Sequence, residues 1–361
     1  MSFFEKIFLN KNILRLYLPF MMFFKSENRK GVSTLDMEKV VLGYDIGGTK
    51  LGIGLMTENG KVLGQCRIEN KDTYPEVILP QLVSSSRDLV KQAGLTMDQV
   101  SCFGISAPGP ADIPNGILTA PVNNPHWRNV PILQYLQDHL GIAGCFENDA
   151  NCGALAEGYF GAGRNVEDFI YLTMSTGIGA GIVTGGTLVR GVGCYGGEFG
   201  HVVLDVNSTR SCGCGQKGCY EAYCGGRSVA LYLQERLKSD PSHKIVQCAG
   251  GKVENIDMIA LEKAYREGDA LAAEVWEEMA LRNAQAFGIL LNTFNPKRII
   301  LGTFGWAIGE IYTDPIRKYL CRFGWQEMIR DFELVNSELR RDISSYAGAA
   351  AALYFILHKK F

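Results

Sequence analysis

At 361 residues the chain can bury one large core or two medium ones, and 47% hydrophobic with 20% charged residues excludes an intrinsically disordered chain. A formal net charge of −2 excludes a bulk electrostatic drive toward nucleic acid or an anionic membrane. The eleven cysteines are an odd count, and most stand alone in apolar stretches (Cys66, Cys102, Cys145, Cys152, Cys248, Cys321), the pattern of reduced thiols in a cytoplasmic protein and not of a secreted disulfide framework.

Met1 to Asp36 contains an apolar run, Ile13 to Phe24, interrupted by Arg15. About 20 apolar residues are needed to span a bilayer, and this run is shorter. It has no clear small-x-small cleavage site for a signal peptide, which leaves an amphipathic anchor as the other membrane reading. Met37-Glu-Lys followed at once by a strand is a natural beginning, so residues 1–38 are expected to be an extension outside the fold.

Val40 to Tyr44 reads as a strand, then the turn Asp45-Ile-Gly-Gly-Thr-Lys50, then strands over Leu51 to Met56 and Lys61 to Ile68 with the hairpin signal Glu58-Asn59-Gly60 between them. Tyr74 to Ala93 has helical spacing, Cys102 to Ser106 is a short buried strand, Val130 to Leu140 a helix, Gly144 to Phe146 a strand and Asp149 to Phe160 a helix. The order then restarts: strand Phe169 to Met174, glycine turn Ser175 to Gly179, strand Ala180 to Thr184, turn Gly185-Gly186, and a third strand from Leu188. Strand, turn, strand, turn, strand thus occurs twice, which argues for two duplicated lobes. Asp269 reads as the N-cap of a long helix reaching Phe294, Arg298 to Gly302 as a strand, and Tyr346 to Leu357 as a closing helix.

Four stretches carry chemistry. In Asp45-Ile-Gly47-Gly48-Thr49-Lys50, adjacent glycines let backbone N–H groups curl into an anion-binding nest, Thr49 adds a hydroxyl, Lys50 a cation, and Asp45 can hold Mg²⁺ through water. An ordinary hairpin turn is the competing reading. Ser175-Thr176-Gly177-Ile-Gly179 is a turn of the same kind, and two such turns facing one another would clamp a polyphosphate. In Glu147-Asn148-Asp149-Ala-Asn151, Asp149 stands at a helix start, where the dipole favours its ionised form and it can accept a hydroxyl proton; the alternative is that Asn148 or Asp149 only caps the helix. Finally, His201, Cys212, Cys214 and Cys219, with spacings of ten, one and four residues, are a full tetrahedral ligand set for zinc, as a finger, a catalytic metal site or a structural staple; because all four positions are taken by protein and the chemistry is supplied elsewhere, the structural reading is expected. Cys194 and Cys224 are not expected as ligands, and His126, His139, His243 and His358 have no partner pattern.

These motifs together resemble the ROK family (repressor, open reading frame, kinase). DIGGTK at 45–50, ENDAN at 147–151, STGIGAG with the region up to GEFGH at 197–201, and CGCGQKGCYE at 212–221 carry the resemblance, which runs from Val40 to Leu357. It implies an α/β, two-lobed actin/hexokinase-like (ribonuclease H-like) fold with a duplicated βββαβαβα core and an inserted zinc site. Residues 39–147 plus 345–361 would form the small lobe, and 148–344 the large one. It further implies ATP-dependent transfer to a hexose 6-hydroxyl, glucose first, with transient Mg²⁺ and structural Zn²⁺. N-acetylmannosamine, N-acetylglucosamine, mannose, fructose and allose are the alternative substrates. Asp149 matches the catalytic base. Asn123, Asn148, Glu198, His201 and Glu221 match sugar contacts, and Gly47, Gly48, Thr49, Thr176, Gly177 and Gly302 match nucleotide and phosphate contacts. A homodimer or homotetramer follows from the resemblance only. Two positions depart from the family pattern: Ser175 where glycine is common, and Gly302-Thr303-Phe304-Gly305-Trp306 where three glycines are common, so Thr303 would crowd the nucleoside and Trp306 is a candidate to stack on adenine. A sugar-sensing repressor of the same family would carry a helix-turn-helix before the first motif, which the 40 or so preceding residues do not resemble. A free-standing zinc-finger module does not suit a cluster embedded in so large a chain.

Overall fold

The computed structural model describes residues 38–70, 73–121 and 124–357. The expected N-terminal extension up to Met37, Asn123 and His358 lie outside the described residues. No described helix is long and apolar enough to cross a membrane.

Strands β1 (Val40–Ile46), β2 (Lys50–Thr57) and β3 (Val62–Glu69) form an antiparallel meander. Gly60 turns its second corner at φ 82°, a left-handed conformation that suits glycine. Helix α1 (Pro75–Gln92), opened by a proline at its first position, leads to β4 (Val100–Ala107), which pairs parallel with β1. A small hairpin, β5 (Ala111–Asp112) with β6 (Ile117–Leu118), precedes α2 (Ile132–Leu140), β7 (Gly144–Asn148) and α3 (Asp149–Phe160). The sheet order is β3-β2-β1-β4-β7.

The second half repeats this plan. Strands β8 (Phe169–Met174), β9 (Ile178–Thr184) and β10 (Thr187–Leu188) are antiparallel. Five helices follow, α4 (Tyr220–Cys224), α5 (Gly226–Leu237), α6 (Lys244–Cys248), α7 (Met258–Arg266) and α8 (Ala270–Phe294). Then come β11 (Arg298–Leu301), α9 (Thr303–Ile308), α10 (Glu310–Leu320), α11 (Gln326–Arg330), β12 (Glu333–Asn336) and α12 (Ile343–Leu357). The order β10-β9-β8-β11-β12, with β11 and β12 parallel to β8, has the same strand directions as the first sheet. Asp269 caps α8 as expected, its carboxylate accepting from Ala272 N at 2.8 Å. The expected third strand at Leu188 is only two residues long, because the chain leaves the sheet at once. Helices α5, α6, α7, α9 and α10 and strand β12 were not legible in the sequence.

Helix α12 lies on β1 and β4, α3 lies on β8 and β9, and the two helices pack on each other. Helix α12 is buried all along its small residues, Ala347 to Ala352, because its backbone rests directly on sheet backbone. A Cβ at Gly104 would stand 2.6 Å from Ala352 N, and one at Gly348 would stand 2.5 Å from Tyr44 N. Replacing Gly104 by valine should therefore cost about 3 kcal/mol or more, the upper end of overpacking penalties, seen as a lower urea midpoint; an unchanged midpoint would show that this contact is not tight.

Candidate functional site

The motif residues gather at the carboxyl ends of β1, β7, β8 and β11, where open α/β sheets place ligands. Asn148 is the N-cap of α3, its side-chain oxygen accepting from Ala150 N at 2.9 Å and Asn151 N at 3.4 Å. Asp149 is the first residue of that helix, and its Oδ1 accepts from Ala150 N at 2.8 Å. Both this bond and the helix dipole favour the carboxylate. Burial wins nonetheless: desolvation, aided by the charge of Glu198, pushes Asp149 up to about 6. The residue is nonetheless exposed to solvent, so it lies in an open recess surrounded by protein and not in the sealed interior, which keeps the group reachable. Asp45, at the end of β1, is pushed up to about 7 by burial and by the facing Asp149. The two carboxylates thus share one space.

The turn after β1 is tighter than a free nest. Gly47 N–H closes the hairpin onto Lys50 O at 3.1 Å, and a Cβ on Gly47 would stand 2.5 Å from that carbonyl. The constraint at Gly47 is close approach, not a left-handed φ, and its N–H serves the turn. Asn70 holds the same turn, donating from Nδ2 to Gly47 O at 3.0 Å and from its backbone N–H to Thr49 O at 2.8 Å. The Lys50 ammonium is 3.4 Å from Glu69 in an exposed pair, so its charge is directed along β3. In the second turn Gly177 lies under Glu221, with room for no Cβ: one would stand 2.6 Å from Glu221 Oε2. Gly302 caps α9 and packs on Tyr171, where a Cβ would stand 2.9 Å from the hydroxyl. Thr303 is exposed at the first position of α9. Trp306 is half-buried and carries the Arg341 guanidinium 5.6 Å from its ring centre, so it is not a core tryptophan.

Glu198, His201 and Glu221 belong to one constellation with the cysteines. The ligand atoms of His201, Cys212, Cys214 and Cys219 all lie within 4.8 Å of one another. Cys214 Sγ and Cys219 Sγ are 3.8 Å apart, and Cys212 Sγ is 3.5 Å from His201 Nδ1. A tetrahedron with metal–sulfur bonds of about 2.3 Å and a metal–nitrogen bond of about 2.0 Å has edges of about 3.8 and 3.5 Å. The cluster is therefore compatible with zinc in both composition and size. Gly215 and Gly218, at φ 89° and 74°, supply the left-handed turns that bring three sulfurs to one point. With His201 Nδ1 toward the thiols, Nε2 faces Glu198 Oε2 at 3.8 Å.

Glu147 and Arg190 carry no role in the sequence motifs, yet they form a part-buried ion pair beside the site. The Glu147 carboxylate, 3% exposed, accepts from Asn148 N at 3.0 Å, Asn151 Nδ2 at 2.9 Å and Arg190 Nε at 2.6 Å. It ties the head of α3 to the loop that leads to Glu198. The partners are 43 residues apart, so no local pattern could announce the pair. His126 and His139 are exposed and stack on Tyr74 and Tyr135, and His243 caps α6. Two shallow cavities, of about 350 Å³ by Arg87 and His139 and about 420 Å³ by Arg210 and Glu278, contain none of the motif residues.

Two sheets of one strand order, with carboxylates and glycine turns at their central strand ends, define a two-sheet α/β protein with a polar ligand site. The ROK family model matches residues 41–354, and the chain belongs to that family. The glucokinase of Thermotoga maritima is 33% identical over 319 residues, 87% of this chain and 96% of that protein. Among solved structures, a ROK hexokinase from Thermus thermophilus aligns with TM-score 0.76 and 27% identity, over 88% of this chain and 99% of that one. A ROK family glucokinase from Streptomyces griseus, in complex with glucose and AMPPNP, aligns with TM-score 0.68 and 29% identity, over 87% and 98%. The family also includes regulators: a xylose repressor from Caldicellulosiruptor bescii is 29% identical over 305 residues, 83% of this chain and 74% of the repressor.

Metal analysis of the purified protein should find roughly one zinc per chain, as a closed four-ligand site requires. Cys214→Ala should lose it, and full zinc retention in that variant would remove Cys214 from the ligand set.

Proposed function

We propose that the chain is an ATP-dependent hexose kinase that phosphorylates the 6-hydroxyl, with glucose the preferred substrate. The observation that carries this reading is Asp149 at the head of α3, facing Asp45 and Glu198, between two glycine turns, in a chain similar to glucokinases over nearly their whole length. Asp149 is the base: it accepts the hydroxyl proton as the sugar oxygen attacks the γ-phosphorus and the bond to the β-phosphate oxygen breaks. Asn123, Asn148, Glu198, His201 and Glu221 contact sugar hydroxyls. Gly47, Gly48, Thr49, Lys50, Thr176, Gly177 and Gly302 contact the nucleotide. Asp45 would hold Mg²⁺ through its waters, and the cation would offset the repulsion between Asp45 and Asp149. His201, Cys212, Cys214 and Cys219 would hold zinc as a closed structural ion.

In this reading the two like sheets are a duplicated core. Residues 39–147 with 345–361 form one lobe and 148–344 the other, and closure between them excludes water from the reacting oxygens. The protein works in the cytoplasm as a homodimer or homotetramer, without nucleic acid or membrane. The similarity to xylose repressors favours one other reading, a sugar-responsive regulator; sequence-specific DNA binding without turnover would establish it.

A coupled ADP-release assay over hexoses and N-acetylhexosamines should show the highest kcat/KM with glucose. Asp149→Asn should lower kcat by about 10²–10⁴, the usual worth of a general base, while glucose binding persists; near wild-type kcat would remove Asp149 from this role. Because the ionised carboxylate is the active form, kcat/KM should fall as pH drops through an apparent pKa near 6. An acid limb near 4 would mean that burial does not govern this group.

A further inference from the structure

We propose that the metal cluster also holds the donor-phosphate turn, Ser175 to Gly179, with Glu221 as the positioning residue between them. This rests on the reading that the turn faces the nucleotide phosphates. Glu221 lies two residues after the ligand Cys219, in the first turn of α4, which Cys219 itself caps. Its Oε1 is 3.7 Å from Cys212 Sγ. Its Oε2 accepts the Ile178 N–H at 2.8 Å, directly over Gly177. The link to the metal is covalent, two residues of chain from Cys219, because Cys212 as a thiolate ligand has no proton to share with Glu221; at the other end the carboxylate holds the backbone of the turn.

A second route runs through the far end of α4. Gly225 N–H closes that helix onto Glu221 O at 2.9 Å. The next two amides turn onto the glycine turn: Gly226 N donates to Ser175 O at 2.9 Å, and Arg227 N donates to Thr176 O at 3.0 Å. In a trans peptide the C=O and the following N–H point in opposite directions. Fixing the carbonyls of Ser175 and Thr176 toward α5 therefore aims the N–H groups of Thr176 and Gly177 the other way. These are the two donors that a phosphate on that side would meet. The lever between ligand and turn is only five residues long, and buried Tyr220 anchors it through a 2.5 Å bond to Asn283 of α8. A shift of Cys219 has little slack to absorb it before Ser175 and Thr176 move. Loss of the metal should disturb the donor side of the site as well as the sugar side.

Two measurements on the full chain test this. Hydrogen exchange, with and without a zinc chelator, should show faster exchange over residues 175–179 on metal removal, with β1 and β4 unchanged. Titration with Mg·AMPPNP in the absence of sugar should show affinity roughly tenfold weaker in the zinc-free protein and in metal-loaded Glu221→Ala, the factor expected for one lost charge-assisted hydrogen bond. Glu221→Gln keeps an acceptor for Ile178 N–H and should recover most of it. Unchanged exchange at 175–179, a rise shared by β1 and β4, or equal nucleotide affinity in wild type and Glu221→Ala would each overturn the proposal. If the wild type binds no Mg·AMPPNP, the kinase reading fails, while the exchange data still decide whether the metal holds the turn.

Discussion

The close approach of α3 to the second sheet is the constraint from which the site geometry follows. Glycines make it possible: a Cβ at Gly153 would overlap the Tyr171 ring, one at Gly181 would overlap Ala150 O, and one at Gly179 would stand 3.1 Å from the Ala150 side chain. At its far end α3 is held by buried Glu157, whose carboxylate accepts from Ala162 N, Ser337 Oγ and Leu339 N. A buried carboxyl group is tolerable here because several donors share it. On its other side α3 meets α12, which rests on the first sheet through Gly43, Gly104 and Gly348. The position of Asp149 is thus set by both sheets, and the glycine turn after β8 is brought beneath the same helix.

Electrostatics then decide what that position can do. A carboxylate at a helix N-terminus with an amide bond would ordinarily be more acidic than a free aspartate. Here burial and neighbouring like charges push both Asp149 and Asp45 upward. Such a pair is poor at holding two negative charges unaided and well suited to accepting a proton or facing a cation. Glu147, by contrast, has Arg190 and two further donors around it. Glu147 organises the head of α3, and Asp149 keeps an open edge.

Local pattern made much of this legible. The run Val40 to Ile46 and its hairpin are visible because apolar strands and Asn-Gly turns are short-range signals, and Asp269 announces α8 by its capping chemistry. The tetrad of His201, Cys212, Cys214 and Cys219 was readable because few other arrangements of these residue types make sense. What stayed hidden depends on distant contacts. Helices α5 and α7 keep mixed faces that only tertiary packing explains, α5 on α4 and α7, and α7 on α6 and α8. The Glu147–Arg190 pair joins segments from different elements. The bond from Glu221 to Ile178 N–H redirects a residue that motif matching assigned to the sugar alone. The turn after β1 looked like a nest because two glycines stand together, yet Gly47 is there for a tight approach to Lys50 O.

The Cys/His cluster sits in a segment with little buried apolar surface of its own. From Val203 to Lys217 the segment is largely exposed, with Val206 87% accessible; Leu204 reaches the large core, and the other apolar nucleus it joins is the small one of Cys212 with Cys219 and Ala222. So small a nucleus cannot offset the conformational entropy of about fifteen ordered residues, at about 1–2 kcal/mol each for backbone alone. Order must come from directional bonds. Arg210 stands between the rings of Tyr223 and Tyr232, at 4.7 and 3.7 Å from their centres, and pairs with Glu278 on α8; Arg282 pairs with Asp205 at 2.8 Å. These contacts hold the base of the segment, but they do not reach His201 or Cys214. A four-ligand ion would join the two ends of the segment at one point, and a single such bond set would be worth more than the local burial it replaces. The residues it would fix, His201 and Glu221, are the ones that face Glu198 and Ile178, so in this segment of little hydrophobic support a small displacement reaches the site directly.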